Sequence, residues 1–431
     1  MVRQTYSHPF LEIEYVKECL LHFSQLFTHS VILDNNKNKH HLYQREEYMC
    51  ACGMASSFPS DGTHDLRKIY NFHQVQKDWL FGHISYNYKS QLGYGRVNKI
   101  PKIDFGELFF WQPLYVFVIN EKNIDLHSLH PISDDFWKKI FKKNDTALCS
   151  STQILSPLKL AITKEKYIEN IIALQEKIKQ GDFYEINYCI YQSGIIACDP
   201  IQIFKQLNTK NEAPFSVFYK YNNQYALCTS PERFLSKQEH LLISQPIKGT
   251  RRRGIDTEDD LIQRMTLERD EKERSENVMI VDLVRNDLAH VCEAGTIKVD
   301  ELMGIHTYKQ VHQMISSITG TIKDNNNWCD AINACFPMGS MTGAPKKIVC
   351  EQIDEIEGWN RGLFSGSIGY IHPNGNFDFN VMIRTLFYNG DTNTIFIPTG
   401  SAITYLSDAE EEWQECLLKA ASIKDVINPA Y

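Results

Sequence analysis

The stretch Leu241–Gly254, LLISQPIKGTRRRG, limits the folds open to this chain more than any other. Leu241-Leu242-Ile243 reads as a strand, and Pro246 has no N–H to give to a ladder, so that strand must finish or lie at an edge there. Gly249 then lets the backbone turn or approach a neighbour closely. Lys248 is thereby expected at a strand end, an address from which a rigid scaffold presents side chains to ligands. The plain alternative is a strand running out into a solvated basic loop.

The segments around it come in runs of one kind. Helices are expected over Val16–Phe27, Glu258–His290, Tyr308–Ile318 and Pro345–Ile356, the last with proline in the favoured first helical position and Gly358 as its stop. Another runs from a Thr163 cap to Gln180, with Ile168, Ile171, Ile172 and Ile178 on one face and Gly181 at its end. Strands are expected at Ser30–Asp34, Leu80–Tyr88, Leu114–Ile119, Tyr188–Ile196, Ser216–Tyr221, Gln224–Thr229 and Leu241–Ile247. Leu363–Ile371, Phe377–Tyr388 and Thr394–Ile403 read as a meander with Asn-Gly turns at 374–375 and 389–390. Ser407-Asp408-Ala409-Glu410 reads as a capping box opening the last helix. Strand runs separated by helical hairpins, without βαβ alternation, predict an α+β fold. The polar stretch Asn144–Pro157 is the best seam, dividing residues 1–150 from a unit at 151–431.

The net charge is −8, which argues against a nucleic-acid surface, and Arg251–Arg253 is too short a basic run for a nucleic-acid or membrane patch. Twelve scattered cysteines without a CxxC pair fit a reducing compartment. Cys50-Ala51-Cys52 lacks the spacing of a zinc hairpin, and His40-His41 lies in a polar loop, so neither reads as a metal site. The first ten residues lack the apolar core of a signal peptide, and no apolar run reaches about 18 residues, so a cytoplasmic protein is expected.

Several residues sit where their chemistry is out of place in plain structure. Glu273 and Glu276 share a helix side, and their line continues through Ile280 and Leu283 into an apolar stripe. Glu412 and Glu415 repeat that spacing beside Trp413 and Cys416. Acidic helix faces are usually only solvated, but two such pairs suit Mg²⁺, a hard cation that takes carboxylates and keeps waters. Strand alternation puts Arg384 on one face with Met382 and Leu386, where its guanidinium needs an anion, either a structural partner or a bound carboxylate. Gly339–Lys346 fails as a phosphate loop because Ala344-Pro345 follows Gly343, and capping by Thr342 explains it as well as anion binding does. A lysine such as Lys248 becomes a nucleophile only when its amine is neutral. A glutamate such as Glu232 serves as a general acid only with a raised pKa.

Five motifs stand in order with that stretch. They are Ser230-Pro231-Glu232-Arg233-Phe234, the run from Lys272 to Asp287, Gly339–Lys346, Ile383-Arg384-Thr385 and Glu410–Glu415. In this order and spacing the chain resembles the chorismate-utilising enzymes, densely from about Thr163 onward and thinly before it. Within them it is most similar to the branch that forms 4-amino-4-deoxychorismate. The resemblance implies the fold of anthranilate synthase component I, large antiparallel sheets wrapped by helices around a central cleft. It implies Mg²⁺ held directly by Glu276 and Glu415, with Glu273 and Glu412 acting through waters. Arg384 with Tyr370, and backbone N–H groups near Gly400 and Ser401, are implied to bind the enolpyruvyl carboxylate. Thr342 and Thr250 are implied to stand beside the substrate. Glu232 is implied to protonate the departing 4-hydroxyl of chorismate and Lys248 to add at ring carbon 2, before ammonia adds at carbon 4.

One position departs from the pattern. Many relatives have histidine where this chain has Gln313, and the neighbouring His312 would point elsewhere from a helix. No Gly-x-Cys-x-Gly nucleophile is evident, so a separate glutamine amidotransferase subunit is the expected ammonia source. Alternatives are an anthranilate-, isochorismate- or salicylate-forming relative, or an aromatic-ligand sensor on the same fold. A sensor would need neither Lys248 nor Glu232.

Overall fold

The computed structural model describes residues 3–10, 12–38, 43, 46–58, 65–96, 99–120, 122–142 and 152–427. His40-His41 and most of the expected seam fall outside them.

Twenty strands join in one hydrogen-bonded network among the described residues, and the ladders that build its centre are antiparallel. This is the α+β architecture expected from the sequence. Glu185–Ala197 and Thr394–Ile403 form one of its longest ladders, from Ile195 opposite Thr394 to Ile186 opposite Ile403. Val311–Thr321 pairs with Leu241–Gln245, Ile247–Arg252 and Lys298–Thr307. Strands before residue 150 pair with strands after it: His29–Asp34 lies against Phe215–Tyr221, and Leu80–Ile84 against Ser367–Ile371. The aromatic-rich run Phe109–Phe117 is core, as its composition suggests, with Phe110, Trp111 and Phe117 fully buried. Among the described residues no helix is long and apolar enough to cross a membrane.

Where local chemistry decides, sequence and structure agree. Lys164–Gln180 is a helix capped by the Thr163 hydroxyl, which accepts from Lys166 N–H, and it ends on Gly181 at φ +85°. Its buried face differs from expectation, being Tyr167, Ile171 and Leu174, while Ile172 is exposed. The last helix, Ala409–Ile427, is capped by Asp408, whose carboxylate accepts from the N–H groups of Glu410 and Glu411. Ser407 is not the cap: its hydroxyl accepts from Thr404 N–H. Pro345 is the residue before the Lys346–Ile356 helix rather than its first residue.

Three further expectations are corrected. Tyr308–Ile318 is not a helix; Val311–Thr321 is a buried strand that runs between two partners. Glu258–His290 is two helices, Thr257–Arg269 and Glu271–Ala289, because Asp270 is extended and its side chain accepts from Glu273 N–H to cap the second. Phe377–Tyr388 is likewise two strands, Phe377–Asn380 and Thr385–Asn389, so strand alternation does not orient Arg384. The basic run is explained locally, since Arg251, Arg252 and Arg253 pair with Asp270, Asp259 and Asp260.

Candidate active site

Lys248 lies inside the strand Ile247–Arg252, not at a strand end. Pro246 interrupts the ladder before it, and the pairing with Val311–Thr321 slips between Ile247 and Thr250. That slip is a bulge whose Gly249 takes φ +90°, a left-handed conformation that glycine tolerates best. A Cβ there would stand 3.0 Å from Leu267 and 3.2 Å from the Glu273 carboxylate, so the glycine also lets the neighbouring helices close on the lysine.

The Lys248 amine is buried and donates to Glu185 Oε1, with Glu276 Oε2 3.7 Å away. Burial alone would free the amine of its proton, but the charges of Glu185 and Glu276 outweigh burial and hold its pKa above the usual lysine value. Lys248 therefore rests as an ammonium. Glu185 was not legible as a site residue. The one signal was an acid opening a strand, Glu185–Ala197, that holds no other charged residue, and the structure buries its side chain.

Glu232 sits in the link between strands Gln224–Ser230 and Arg233–Gln238. Its N–H donates to Ser230 Oγ, and its carbonyl accepts from Val381 N–H. Burial pushes its carboxyl up to about 7, against the opposing pull of the Ser340 hydroxyl and of Lys248. A carboxyl in that range holds a proton near neutral pH and can give it up, as a general acid must.

The two acidic pairs face each other across the helices Glu271–Ala289 and Ala409–Ile427. The Glu415 charge raises both Glu273 and Glu412, and Glu273 raises Glu276, in each case after burial. Burial brings Glu276 to about 8. Glu415 goes the other way: despite partial burial, Lys419 holds it down at about 2. Lysines stand among the acids, with Lys272 Nζ 2.6 Å from Glu412 and 4.0 Å from Glu276, and Lys419 2.5 Å from Glu415. Among the described residues no three acids converge as a ready metal cage. Glu276 Oε1 and Glu412 Oε2 are nonetheless buried without a hydrogen-bond donor.

Arg384 belongs to this centre. Its φ of +52° is a strained conformation for arginine, costing roughly 1–3 kcal/mol, of the kind that gathers at functional sites. Thr229 N–H donates to its carbonyl, and the guanidinium makes no hydrogen bond or ion pair among the described residues. Burial lowers its pKa, and Glu415 is the charge that opposes this. The backbone at Gly400 joins it through Lys419, which donates to the Gly400 carbonyl over 2.7 Å. The Ser401 hydroxyl is bonded to Tyr167.

Three expected residues are placed otherwise. Tyr370 packs its ring on Trp79 and Phe81 and lines a separate cavity of about 950 Å³ with His372 and Asp378. None of the candidate acids nor Lys248 lines that cavity. Thr342 is fully buried and its hydroxyl donates to the Met338 carbonyl, closing the Gly339–Met341 turn rather than capping a helix. Thr250 is exposed opposite Gln313. Gln313 is buried with its Oε1 unpartnered. His312, one strand position away, points to the opposite face and bonds Asp260, so it does not stand in for Gln313.

The chain is similar to several known proteins. Over 261 residues the chain is 41% identical to aminodeoxychorismate synthase, chloroplastic, of Arabidopsis thaliana, covering 60% of this chain and 28% of that protein. Over 263 residues it is 40% identical to aminodeoxychorismate synthase component 1 of Escherichia coli (strain K12), covering 61% and 57%. It thus spans well under two thirds of either relative. The crystal structure of anthranilate synthase component I from Streptococcus pneumoniae TIGR4 superposes with a TM-score of 0.74 at 21% identity, over 91% of this chain and 95% of that one, which shows the shared fold. Residues 28–425 match the family described as chorismate binding enzyme, and with a match of that extent the chain belongs to it.

Proposed function

We propose that this chain converts chorismate and ammonia to 4-amino-4-deoxychorismate and water, the step toward p-aminobenzoate and folate. The observation that carries the reading is a buried lysine amine, Lys248, beside two carboxylates and near a glutamic acid poised at about 7. In this reaction the amine adds to the ring as a nucleophile, whereas a reaction that only hydroxylates the ring would use it as a general base toward water. The printed names of the two relatives above support the same product.

In this mechanism Lys248 must first lose a proton. Glu185 is the acceptor in place, since its Oε1 already takes the Nζ hydrogen bond and its Oε2 is buried without a partner. The neutral amine adds at ring carbon 2 as the 4-hydroxyl leaves, and Glu232 supplies the proton that turns it into water. Ammonia then forms a bond to carbon 4 while the carbon 2–nitrogen bond breaks and returns the electron pair to Lys248. The proton shed by the new ammonium restores Glu232. Arg384, whose guanidinium has no ion pair among the described residues, binds the enolpyruvyl carboxylate.

Mg²⁺ suits the acids. Glu276 and Glu415 would hold it directly and Glu273 and Glu412 through waters, and the unpartnered Glu276 Oε1 and Glu412 Oε2 are acceptors that fit a hard cation. Bound there, the ion would neutralise the ring carboxylate of chorismate. Glu276→Gln and Glu415→Gln are expected to weaken Mg²⁺ binding by calorimetry at least about 10–100-fold, the loss that even an outer-shell change can cause. Their circular dichroism should stay unchanged. Calorimetric affinity equal to the wild type for either variant removes that residue from the ligand set.

The ammonia comes from a separate glutamine amidotransferase subunit, and the cysteines, none in a disulfide among the described residues, suit a reducing compartment such as the cytoplasm. The test is product identification with the purified chain, chorismate, Mg²⁺ and ammonium. 4-Amino-4-deoxychorismate is expected with ammonium, and with glutamine only after an amidotransferase is added. Anthranilate or isochorismate as the product, or glutamine turnover by the chain alone, overturns the respective part.

A further inference from the structure

We propose that Ser340 is a positioning residue for Glu232: its hydroxyl fixes carboxyl oxygen Oε1, so that the proton delivered to substrate sits on Oε2. The inference rests on the general-acid reading of Glu232 given above. Ser340 Oγ donates to Glu232 Oε1 over 2.6 Å, and both side chains are buried. A serine hydroxyl has one hydrogen to give. Given to Oε1, it leaves Oε2 as the oxygen that carries the acid's own proton.

Such a bond positions the carboxyl only if the serine itself cannot move, and the surrounding bonds hold it. The Ser340 carbonyl accepts from Asn187 Nδ2 over 2.9 Å. Its neighbour's carbonyl, that of Met341, accepts from Arg361 over 2.7 Å. Arg361 is 2% exposed, pairs with Glu357 and donates again to the Asn187 carbonyl, so one buried cation ties the turn to the strand Glu185–Ala197. On the other side Gly339 lies where a Cβ would come within 2.6 Å of Leu283, which fixes the turn against the Glu271–Ala289 helix. Glu232 is anchored through its own N–H and carbonyl. The charged groups that act on it, Lys248 and Lys419, favour its carboxylate form, as do the Ser340 bond and a backbone hydrogen bond from Ile247, and burial opposes them all.

The test compares Ser340→Ala and Ser340→Thr with the wild type. Infrared spectroscopy follows the C=O band of protonated Glu232, assigned by its loss in Glu232→Gln. In Ser340→Ala the titration should move to higher pH, because a bond that favoured the carboxylate is gone, and the band should broaden as the carboxyl gains a second orientation. Turnover should fall about tenfold with KM within about twofold, the scale of one hydrogen bond. Ser340→Thr, which keeps the hydroxyl, should restore the band and its titration. Should the alanine variant not fold, Ser340→Cys, a weaker donor, should shift the titration in the same direction by less. A band and titration identical to wild type in the alanine or cysteine variant overturn the proposal. The infrared reading needs no turnover, so a product other than 4-amino-4-deoxychorismate would count against the preceding function and leave this result to decide on Ser340.

Discussion

Lys248→Ala is expected to cut 4-amino-4-deoxychorismate formation by about 10³-fold or more, the scale on which a covalent nucleophile is missed. The loss should fall on turnover, with KM for chorismate nearly unchanged, because the bond to the ring forms only on the way through the reaction. Alanine also strips Glu185 and Glu276 of the cation between them, and breaking a buried pair costs roughly 3–5 kcal/mol. Lys248→Arg separates the two effects. It keeps a positive charge for both carboxylates but offers no nucleophilic amine, so it should unfold close to the wild-type temperature while remaining as inactive as alanine. Wild-type protein quenched during turnover without ammonia should show added mass on the peptide containing Lys248. Turnover of chorismate and ammonia at an undiminished rate in either variant would make Lys248 a bystander and bring the anthranilate-type reading forward.

The resting charge of Lys248 marks where sequence reasoning stops. From sequence Lys248 is expected at a strand end that presents it to a ligand; the structure buries it, and burial by itself lowers a lysine pKa. The sign is reversed by Glu185, 63 residues upstream, and by Glu276 on the second helix that follows. No local pattern announces such a pairing. The same limit explains the misread strand Val311–Thr321. Its residues from His312 to Gly320 are all buried, because the strand lies between neighbours on both edges, and a run buried on both faces has no period that separates strand from helix.

Elements that end on their own chemistry were legible. Thr163, Gly181 and the acidic start of the last helix each satisfy backbone groups within a few residues, so the sequence contains the whole interaction. The two acidic pairs were readable for the same reason, the members of each being three apart on one helix. What gathers the two pairs is the packing of helices more than a hundred residues apart, and there the lysines at 272 and 419 enter. Tyr370 shows the converse. A residue carried over from a family pattern sits in the described fold on a cavity away from Lys248, because its strand presents it to Trp79 and Phe81.

Glu232→Gln is expected to lower turnover by about 10²–10⁴-fold, the usual contribution of a positioned general acid. Glutamine keeps an oxygen to accept from Ser340, so the geometry at Oε1 survives and only the proton is lost. In the wild type the acid form is needed. Turnover should therefore hold below about 7 and fall as pH rises through that value, and the residual rate of the variant should show no such limb. Stability should fall with rising pH as well, but over a lower window. The folded protein holds this proton up to about 7 while an ordinary glutamic acid releases it near 4.5, so the folded state binds more protons between those values and loses stability as pH rises across them. Above 7 the wild type keeps a buried carboxylate that the glutamine variant lacks. At pH 8 the variant should thus be the more stable protein, by about 3 kcal/mol at most. A slower but more stable variant is the signature of a group retained for chemistry at the expense of the fold. Unchanged turnover, or a wild-type rate that does not fall through pH 7, would show that the proton on Glu232 is not the one the leaving hydroxyl receives.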